Sequence, residues 1–212
     1  MNQQKIYYQK RAKEYERVYQ KTERQEDLKT LHTYLQEQAT DKNILEIACG
    51  TGYWTKTLAT TSHQIQASDY NKAVLEIAKT KSYGTTPVFF QQLDFWKLPS
   101  SNISYDLIFG GFIWSHILKD QLPSFIKLLQ GQIQKEGALL FIDNQYVEGS
   151  STPISRIDQN GNTYQTRRLA DGSAFEVLKN FPNQKEVEDL LVPMDLTIEW
   201  MDLKYYWILR IQ

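Results

Sequence analysis

The chain has 212 residues, enough to bury the core of one α/β unit, and its 24 Lys and Arg residues nearly balance 25 Asp and Glu residues. A net charge of -1 supplies no basic field for a phosphate backbone or an anionic membrane surface, so composition disfavours nucleic acid and membrane partners. One Cys excludes an internal disulfide framework, and three scattered His residues show no metal-ligand spacing, so we expect no metal site.

Two helices are predicted ahead of the first strand. Residues 5–38 are rich in charged helix formers, and their apolar and aromatic side chains recur at helical spacing. In the first helix these side chains are Tyr8, Ala12, Tyr15, Val18 and Tyr19, and a second helix runs from Glu23 through Leu35. No apolar run approaches the roughly 20 residues that span a bilayer, and the N-terminus has no apolar signal-peptide core. We therefore predict a cytoplasmic protein, a monomer or a homodimer.

Strands and helices then alternate between residues 43 and 143. Five apolar runs of strand length are separated by segments of helical length, one of which opens with an Asn cap at Asn71. The predicted strands are the run that starts at Asn43, then 63–69, 87–93, 105–109 and 138–143. This alternation predicts an α/β fold, with a parallel sheet covered by helices on both faces.

The pattern changes after Asp143. Asn160-Gly161 and Asp171-Gly172 are hairpin signals flanked by β-prone residues, which predicts a small antiparallel β-flap inserted at residues 146–180. A short helix at 184–191 and two strands, within 197–203 and 205–212, follow it. We predict one domain over residues 1–212, with a helical cap at 1–40 and a seven-stranded sheet whose last strand is antiparallel to the other six.

The sharpest motif is Glu46-Ile47-Ala48-Cys49-Gly50-Thr51-Gly52, at the end of the first strand. Gly50 and Gly52 allow a tight turn and a close approach of the backbone to a ligand. Asp69 ends the second strand 17 residues after Gly52, near the distance of about 20 at which an acid binds a ribose hydroxyl. Together these features predict an adenosine ligand.

A nicotinamide-binding fold is the main rival for this motif. Its fingerprint requires a third small residue three positions after Gly52, where this chain has Thr55 behind the bulky Tyr53 and Trp54. The sequence therefore offers no seat for a pyrophosphate. A thiol at Cys49 is open to two interpretations, a reactive group or a small residue that packs in the loop, and we favour packing.

Four segments resemble the class I S-adenosylmethionine-dependent methyltransferases of bacterial small-molecule type. ILEIACGTGYWT resembles their motif I, SDYNKAVLEIAK the segment after their second strand, QQLDFWKLP an acidic loop that reads adenine, and YDLIFGGF their fourth strand. The final strand pair is similar to the reversed hairpin that ends their Rossmann-like fold. The resemblance covers about residues 40–145 and 184–212, and it implies S-adenosylmethionine as the cofactor and S-adenosylhomocysteine as its product.

The resemblance also implies roles for individual residues on the cofactor side. Glu46 and the backbone of the glycine turn would hold the methionine portion of the cofactor. Asp69 would bind the ribose hydroxyls, Tyr70 the adenine face, and Asp94 with Phe95 the adenine edge and rim. The full set of predicted cofactor residues in and after these strands is Glu46, Ala48, Cys49, Gly50, Thr51, Gly52, Asp69, Tyr70, Asp94, Phe95, Gly110 and Gly111.

Residues 8–15 resemble the YxxRAxEY opening of many small-molecule methyltransferases, whose first helix lies over the cofactor. Tyr8, Arg11 and Tyr15 share one helix face, and the resemblance implies that they contact the cofactor. The alternative is an exposed amphipathic helix whose tyrosines only pack on the core.

Candidate acceptor residues follow the fourth strand. Methyl transfer is an in-line displacement that mainly needs positioning and exclusion of water, so a dedicated base is not obligatory. His116 is our candidate general base, with the alternative that it orders the loop through a backbone hydrogen bond. Trp114, in the same loop, is predicted to bind the acceptor.

A basic cluster in the flap is the second candidate for acceptor binding. Arg156, Tyr164 and Arg168, with Arg167 and Lys179 nearby, are suited to a carboxylate or phosphate, although a solvated basic face is the alternative. The function hypothesis is methyl transfer to O or N of a small molecule. One alternative is a protein, peptide or RNA substrate docked on the flap, and another is a non-catalytic cofactor-binding partner subunit. A deep pocket lined by Tyr8, Trp114 and His116 would favour the first, a wide groove the second, and a flap buried in a partner the third.

Overall fold

The computed structural model describes residues 3–98 and 104–212. Its α-helices are α1 Gln3–Arg11, α2 Gln25–Ala39, α3 Tyr53–Leu58, α4 Lys72–Ala78, α5 Leu122–Gln130 and α6 Gln184–Leu191. Its strands are β1 Asn43–Ile47, β2 Gln64–Asp69, β3 Val88–Gln92, β4 Tyr105–Gly111, β5 Ile133–Asn144, β6 Arg156–Ile157, β7 Thr163–Arg168, β8 Ala174–Leu178, β9 Ile198–Asp202 and β10 Tyr206–Ile211. Short 3₁₀ helices occupy Ala12–Gln20, Thr22–Arg24, Phe95–Lys97, Trp114–His116, Lys119–Gln121 and Val192–Met194.

The central sheet has seven strands in the order β3-β2-β1-β4-β5-β10-β9. β1 pairs in parallel with β2 and β4, and β10 is antiparallel to both of its neighbours, β5 and β9. Six strands therefore share one direction and β10 opposes them, which confirms the predicted sheet. The chain leaves β1 toward β2 on one side and returns to β4 on the other, so the carboxyl end of β1 is the switch point where ligands of open α/β sheets bind.

Alternating side chains of the strands fill two cores, one on each face of the sheet. In β1, Ile44 joins the core that includes residues of α2 and α3, whereas Leu45 and Ile47 join the core that includes residues of α5 and α6. Leucine side chains of α2 at 28, 31 and 35 recur at helical spacing and are buried. This arrangement places helices on both faces, as the sequence predicts.

The N-terminal segment, residues 3–24, departs from the predicted continuous first helix. The α-helix ends at Arg11, and residues 12–20 form a 3₁₀ helix. With three residues per turn, Ala12, Tyr15 and Val18 fall on one face, and Ala12 is buried while Tyr15 and Val18 pack on the core. The tighter winding therefore aligns apolar side chains that an α-helix would distribute over a wider arc.

The flap, residues 146–180, carries the three-stranded antiparallel sheet β6-β7-β8 with turns at Gly161 and Gly172, which confirms the predicted meander. α1 lies against it, since the Tyr7 and Phe175 rings are 5.9 Å apart and the Glu176 amide donates to the Gln3 side chain. Within residues 3–98 and 104–212, no helix is long and apolar enough to cross a membrane, and no three His, Cys, Asp or Glu side chains are placed to hold a metal ion.

Candidate active site

The glycine loop, residues 48–52, opens a cavity at the carboxyl end of β1. Gly50 and Gly52 both have positive φ, at 56° and 80°. A Cβ built on Gly50 would meet no atom within 4 Å, whereas one on Gly52 would collide with the Tyr83 hydroxyl and approach Ala78. Gly50 therefore faces open space that a ligand can use, and Gly52 is required for packing against α4.

Asp69 joins the end of β2 to the glycine loop. Its carboxylate accepts hydrogen bonds from the backbone N–H groups of Gly50, at 3.0 Å, and Asn71, at 2.8 Å. Burial raises the pKa of Asp69 to about 6, against the lowering effect of these two hydrogen bonds. Each carboxylate oxygen retains a lone pair, so the group can still accept hydrogen bonds from a ligand.

We call the space above these groups the glycine-loop cavity, with a volume of about 90 Å³. Its walls come from α1, the glycine loop, the end of β2 and the loop after β4, and they comprise Gln4, Tyr8, Tyr15, Ala48, Gly50, Asp69, Tyr70, Asn71, Val74, Gly111, Phe112, Ile113 and His116. Ala48 and Phe112 are non-glycine residues with positive φ, of 52° and 60°. Such conformations cost about 1–3 kcal/mol each and cluster at functional sites.

A second and larger space, the flap cavity, has a volume of about 570 Å³. It lies between the N-terminal segment and the flap, and its walls include Arg11, Arg24, Gln165, Arg167 and Arg168. Four residues line both cavities, namely Tyr8, Tyr15, Phe112 and His116. The two spaces therefore meet at an aromatic junction beside the loop after β4.

Comparison with known proteins identifies a methyltransferase domain in part of the chain. Residues 44–137, which include β1, the glycine loop, Asp69 and β4, match the family model of a methyltransferase domain. An uncharacterized methyltransferase, OB1106 of Oceanobacillus iheyensis, is 29% identical over 110 residues, which are 52% of this chain and 50% of that protein. The chain thus spans about half the length of this curated relative.

Solved structures share the fold over almost the whole chain. A DhpI-SAM-HEP complex is 21% identical, with a TM-score of 0.81, and the match covers 99% of this chain and 96% of that one. The PH0226 protein of Pyrococcus horikoshii OT3 is 19% identical, with a TM-score of 0.72, and covers 94% and 98% of the two chains. The N-terminal segment and the flap therefore lie within the region shared with these structures.

Several predicted cofactor residues of the methyltransferase domain do line the glycine-loop cavity. They are Tyr8, Tyr15, Ala48, Gly50, Asp69, Tyr70 and Gly111. The Lys5 ammonium lies 4.6 Å from the centre of the Tyr70 ring, so this ring can stack with a cationic or electron-poor group. Arg11 instead lines the flap cavity, where its guanidinium donates to the Tyr7 hydroxyl at 2.6 Å.

Glu46 and Cys49 lie behind the glycine loop rather than in the cavity wall. Glu46 is 2% exposed and accepts a hydrogen bond from the Thr55 hydroxyl at 2.6 Å. Burial raises the pKa of Glu46 to about 8, so the side chain is mainly protonated at neutral pH. Burial also raises the pKa of the Cys49 thiol, which is consistent with the packing role and disfavours a reactive thiolate.

Thr51 connects the glycine loop to the N-terminal segment. Its hydroxyl donates to the Glu16 carboxylate at 2.5 Å, and Lys81, which follows α4, pairs with the same carboxylate. Glu16 therefore holds the N-terminal segment down over the loop. Neither Thr51 nor Gly52 lines the cavity itself.

Three other predicted cofactor residues, Asp94, Phe95 and Gly110, line neither cavity, although Asp94 lies 3.8 Å from Lys5, whose ammonium covers the Tyr70 ring. The Asp94 carboxylate caps the next 3₁₀ turn by accepting from the Trp96 N–H at 3.2 Å, and the Phe95 ring packs 5.3 Å from that of Phe125. A Cβ on Gly110 would lie 2.9 Å from Ile113 and Phe141, so this glycine is required for packing. Pro99, the last residue of the QQLDFWKLP segment, lies outside the described residues.

His116 is the centre of a hydrogen-bonded chain at the junction. Its Nδ1 lies 2.5 Å from the Leu178 carbonyl oxygen, which only accepts, so Nδ1 carries the proton. Nε2 then accepts from the Tyr8 hydroxyl at 2.8 Å, and the Tyr8 oxygen accepts from Arg167 Nη1 at 3.2 Å. Burial, reinforced by the Lys179 charge, lowers the pKa of His116 to about 3. The ring is therefore neutral, with its basic nitrogen already engaged.

The flap is fixed to this site by a buried ion pair. Lys179, just after β8, contacts Asp143 at 2.5 Å and donates to Ser115 Oγ at 2.7 Å. The Asp143 carboxylate also accepts from the Ser115 backbone and hydroxyl. Burial would raise the pKa of Asp143, but the Lys179 charge and these hydrogen bonds lower it. The loop that presents His116 is thus tied to both the sheet and the flap.

The predicted acceptor residues do not lie together in one site. Trp114 is 1% exposed and packs in the core against Phe141, with ring centres 5.2 Å apart, so it lines neither cavity. Arg156 pairs with Glu176 and covers the Tyr164 ring on the exposed side of the flap, which keeps both residues out of the cavities. Arg168 does line the flap cavity.

Sequence reasoning missed Phe112 and Arg167 as cavity residues. Arg167 was predicted only as a neighbour of the basic cluster, yet it reaches the junction through Tyr8. The strand period of two groups Arg167 with Gln165 on one face of β7 and places Arg168 on the other, but it does not identify the cavity residues, because Arg168 lines the flap cavity as well. Phe112 carried no comparable signal, because its position depends on its positive φ.

Proposed function

We propose that this protein transfers the methyl group of S-adenosylmethionine to a small molecule held in the flap cavity. The observation that carries the proposal is the junction, where Tyr8, Tyr15, Phe112 and His116 line both cavities. A cofactor in one cavity and an acceptor in the other would meet there. The match of the curated relative covers only half of that protein, so the activity rests on this geometry and on the domain assignment.

The glycine-loop cavity fits the cofactor in its chemistry. The open space at Gly50 admits the close approach of a ligand, and Asp69 offers carboxylate lone pairs to ribose hydroxyls. Tyr70 lines the wall where adenine would stack. The cofactor would supply a methyl group on a sulfonium, which is open to in-line displacement.

The remaining work of the protein is to orient the acceptor and to exclude water. Tyr8, Tyr15 and Phe112 surround the junction with aromatic surface, and α1 and the flap lie over it. When a protein holds two reactants in line, the reaction no longer depends on a bimolecular encounter. In favourable cases this lowers the activation free energy by about 7–11 kcal/mol. Positioning is therefore the main catalytic contribution that we assign to these residues.

A small acceptor is favoured over a macromolecule by the size and cover of the flap cavity. Its volume of about 570 Å³ falls within the range of about 300–1,000 Å³ for small-molecule sites. The N-terminal segment and the flap contact each other beside it, through Tyr7 with Phe175 and Lys10 with Asp171. A protein or RNA chain would have to displace these contacts.

The test is transfer of label from methyl-labelled S-adenosylmethionine to fractions of a bacterial extract separated by size. We expect label in the fraction below about 1 kDa, and calorimetry should show one site for S-adenosylhomocysteine and no comparable affinity for NAD. Label on protein or RNA would support the docking alternative instead. Absence of cofactor binding would overturn the proposal, and binding without transfer to any fraction would favour the non-catalytic subunit.

A further inference from the structure

The walls of the flap cavity carry an excess of positive charge. Six of the side chains that line it are cationic and one is acidic, namely Arg11, Lys21, Arg24, Arg167, Arg168 and Lys179 against Glu14. Lys179 is paired with Asp143, and Lys21 lies 3.9 Å from Glu23. Among the described residues, none of the four arginines pairs with a carboxylate. The cavity is therefore electrostatically incomplete without an anion.

Two of these arginines are held by neutral partners only. Arg167 donates to the Gln165 amide oxygen at 2.8 Å and to the Tyr8 hydroxyl at 3.2 Å, and Arg11 donates to the Tyr7 hydroxyl. Arg24 is 8% exposed, and its Nε is buried without a hydrogen-bond partner. Burying a charge is costly unless an opposite charge compensates it, and a guanidinium fork matches the two oxygens of a carboxylate or phosphate.

Arg167 brings this charge to the point where the cavities meet. Its guanidinium donates to Tyr8, which lines both the flap cavity and the glycine-loop cavity. An anionic oxygen bound by Arg167 would therefore lie beside the transferable methyl group. A cationic amine at the same place would be repelled by the guanidinium.

Among the four described residues that line the junction, none offers a free imidazole or carboxylate as a base. A neutral hydroxyl or amine acceptor must lose a proton, but His116 Nδ1 is committed to the Leu178 carbonyl and Nε2 to the Tyr8 proton. The charged groups that face His116 are Arg167, Lys179 and Asp143, and Asp143 is already paired with Lys179. An oxygen that is ionised before it binds needs no base.

We infer that the acceptor is a small carboxylate or phosphate, held by Arg167 and its neighbouring arginines and methylated on its charged oxygen. This inference rests on the proposed function. The oxygen donates an electron pair to the methyl carbon, an O–C bond forms, and the C–S bond breaks with its pair passing to sulfur. The products are a methyl ester and a thioether. One negative and one positive charge disappear, and no proton is released.

The first experiment measures anion binding to the protein saturated with S-adenosylhomocysteine. Calorimetric titrations use inorganic phosphate, acetate and malonate, with acetamide and ethylamine as uncharged and cationic counterparts. We expect at least one anion to bind and both counterparts to fail. Arg167→Met should weaken anion binding at least tenfold, Arg167→Lys should lose less, and Arg156→Met, on the outer side of the same flap, should change nothing. Binding of ethylamine in preference to the anions, or no anion binding, would overturn the inference.

The second experiment identifies the atom that is methylated. Labelled S-adenosylmethionine is offered to separate pools of carboxylic acids, phosphate monoesters, phenols and amines. If the acceptor is a carboxylate, label appears in the pool of carboxylic acids and mild alkali releases it as methanol. If the acceptor is a phosphate, label appears in the pool of phosphate monoesters and is stable to alkali. With either acceptor, a pH indicator in weak buffer at about pH 8, where a phosphate monoester is a dianion, should record no proton released per methyl group transferred. A methylated phenol or amine would refute the oxyanion and leave the proposed function intact, whereas no transfer to any pool would overturn both.

Discussion

The two cavities differ in the sign of the charge in their walls. The glycine-loop cavity has the Asp69 carboxylate in its wall, and burial raises the pKa of this group to about 6. The flap cavity is lined by arginines without acidic partners. An acidic wall suits a cofactor that carries a sulfonium, and a basic wall suits an anion. One cavity wall is therefore negative and the other positive. This arrangement favours a cationic ligand in the first cavity and an anionic ligand in the second, which would meet at the junction.

The buried ion pair of Lys179 and Asp143 anchors the flap, two of whose arginines line the flap cavity. Its loss should have the largest effect on stability of the changes that we consider. Lys179→Met leaves a carboxylate buried without its partner, so we expect a loss of about 3–5 kcal/mol in the free energy of unfolding, measured by urea denaturation. Lys185→Met, in an exposed pair with Asp189, is the control and should leave the midpoint unchanged. An unchanged midpoint in Lys179→Met would show that the flap is not anchored by this pair.

Cofactor binding in the glycine-loop cavity can be tested at Gly50, with Gly84 as a matched control. Both glycines have positive φ, and a Cβ on either would meet no atom within 4 Å, so Ala imposes the same backbone strain at each. Only Gly50 faces the glycine-loop cavity. We expect Gly50→Ala to weaken S-adenosylhomocysteine binding about 100-fold, or about 2.7 kcal/mol, in calorimetry, and Gly84→Ala to weaken it less than threefold. Equal losses of affinity in the two variants would contradict the assignment of the cofactor to this cavity.

Asp69 predicts a pH dependence for cofactor binding. Its pKa in the ligand-free protein is raised to about 6 by burial, and ribose hydroxyls would bind the ionised form best. Protonation therefore competes with the cofactor, and affinity should fall about tenfold from pH 7 to pH 5. Asp69→Asn should bind more weakly at pH 7 and lose this dependence. A flat profile in the wild type, by calorimetry at several pH values, would contradict the ribose assignment.

The smallest effect is expected at Arg156, on the outer side of the flap. Its ion pair with Glu176 is exposed, and such pairs contribute little. Arg156→Ala should leave cofactor affinity and methyl transfer at the wild-type level in a labelled-methyl assay. A large loss of methyl transfer would show that Arg156 contributes to acceptor binding, although it does not line the flap cavity.

Sequence reasoning succeeded where structure depends on the local backbone. The glycine loop, Asp69 and the seven strands could be predicted because turn residues and apolar runs specify them over a few positions. The basic wall could not be predicted in detail, since Arg167 and Arg168 are adjacent and only the strand register decides which one reaches Tyr8. Trp114 was misplaced for a similar reason, because its burial against Phe141 depends on strand order and not on its neighbours in the chain.

One consequence concerns the timing of turnover and follows from Glu16. This residue binds Thr51 and pairs with Lys81 above one cavity, while Lys10 of the same N-terminal segment pairs with Asp171 beside the other. A single segment therefore lines both cavities, and under the proposed function we expect the spent cofactor and the methylated product to leave through one opening. Lys10 and Asp171 are largely exposed, so this contact resists opening only weakly. Rapid-mixing experiments with both substrates in excess over the protein should accordingly show a fast burst of methyl transfer, followed by a slower steady state set by opening of this segment.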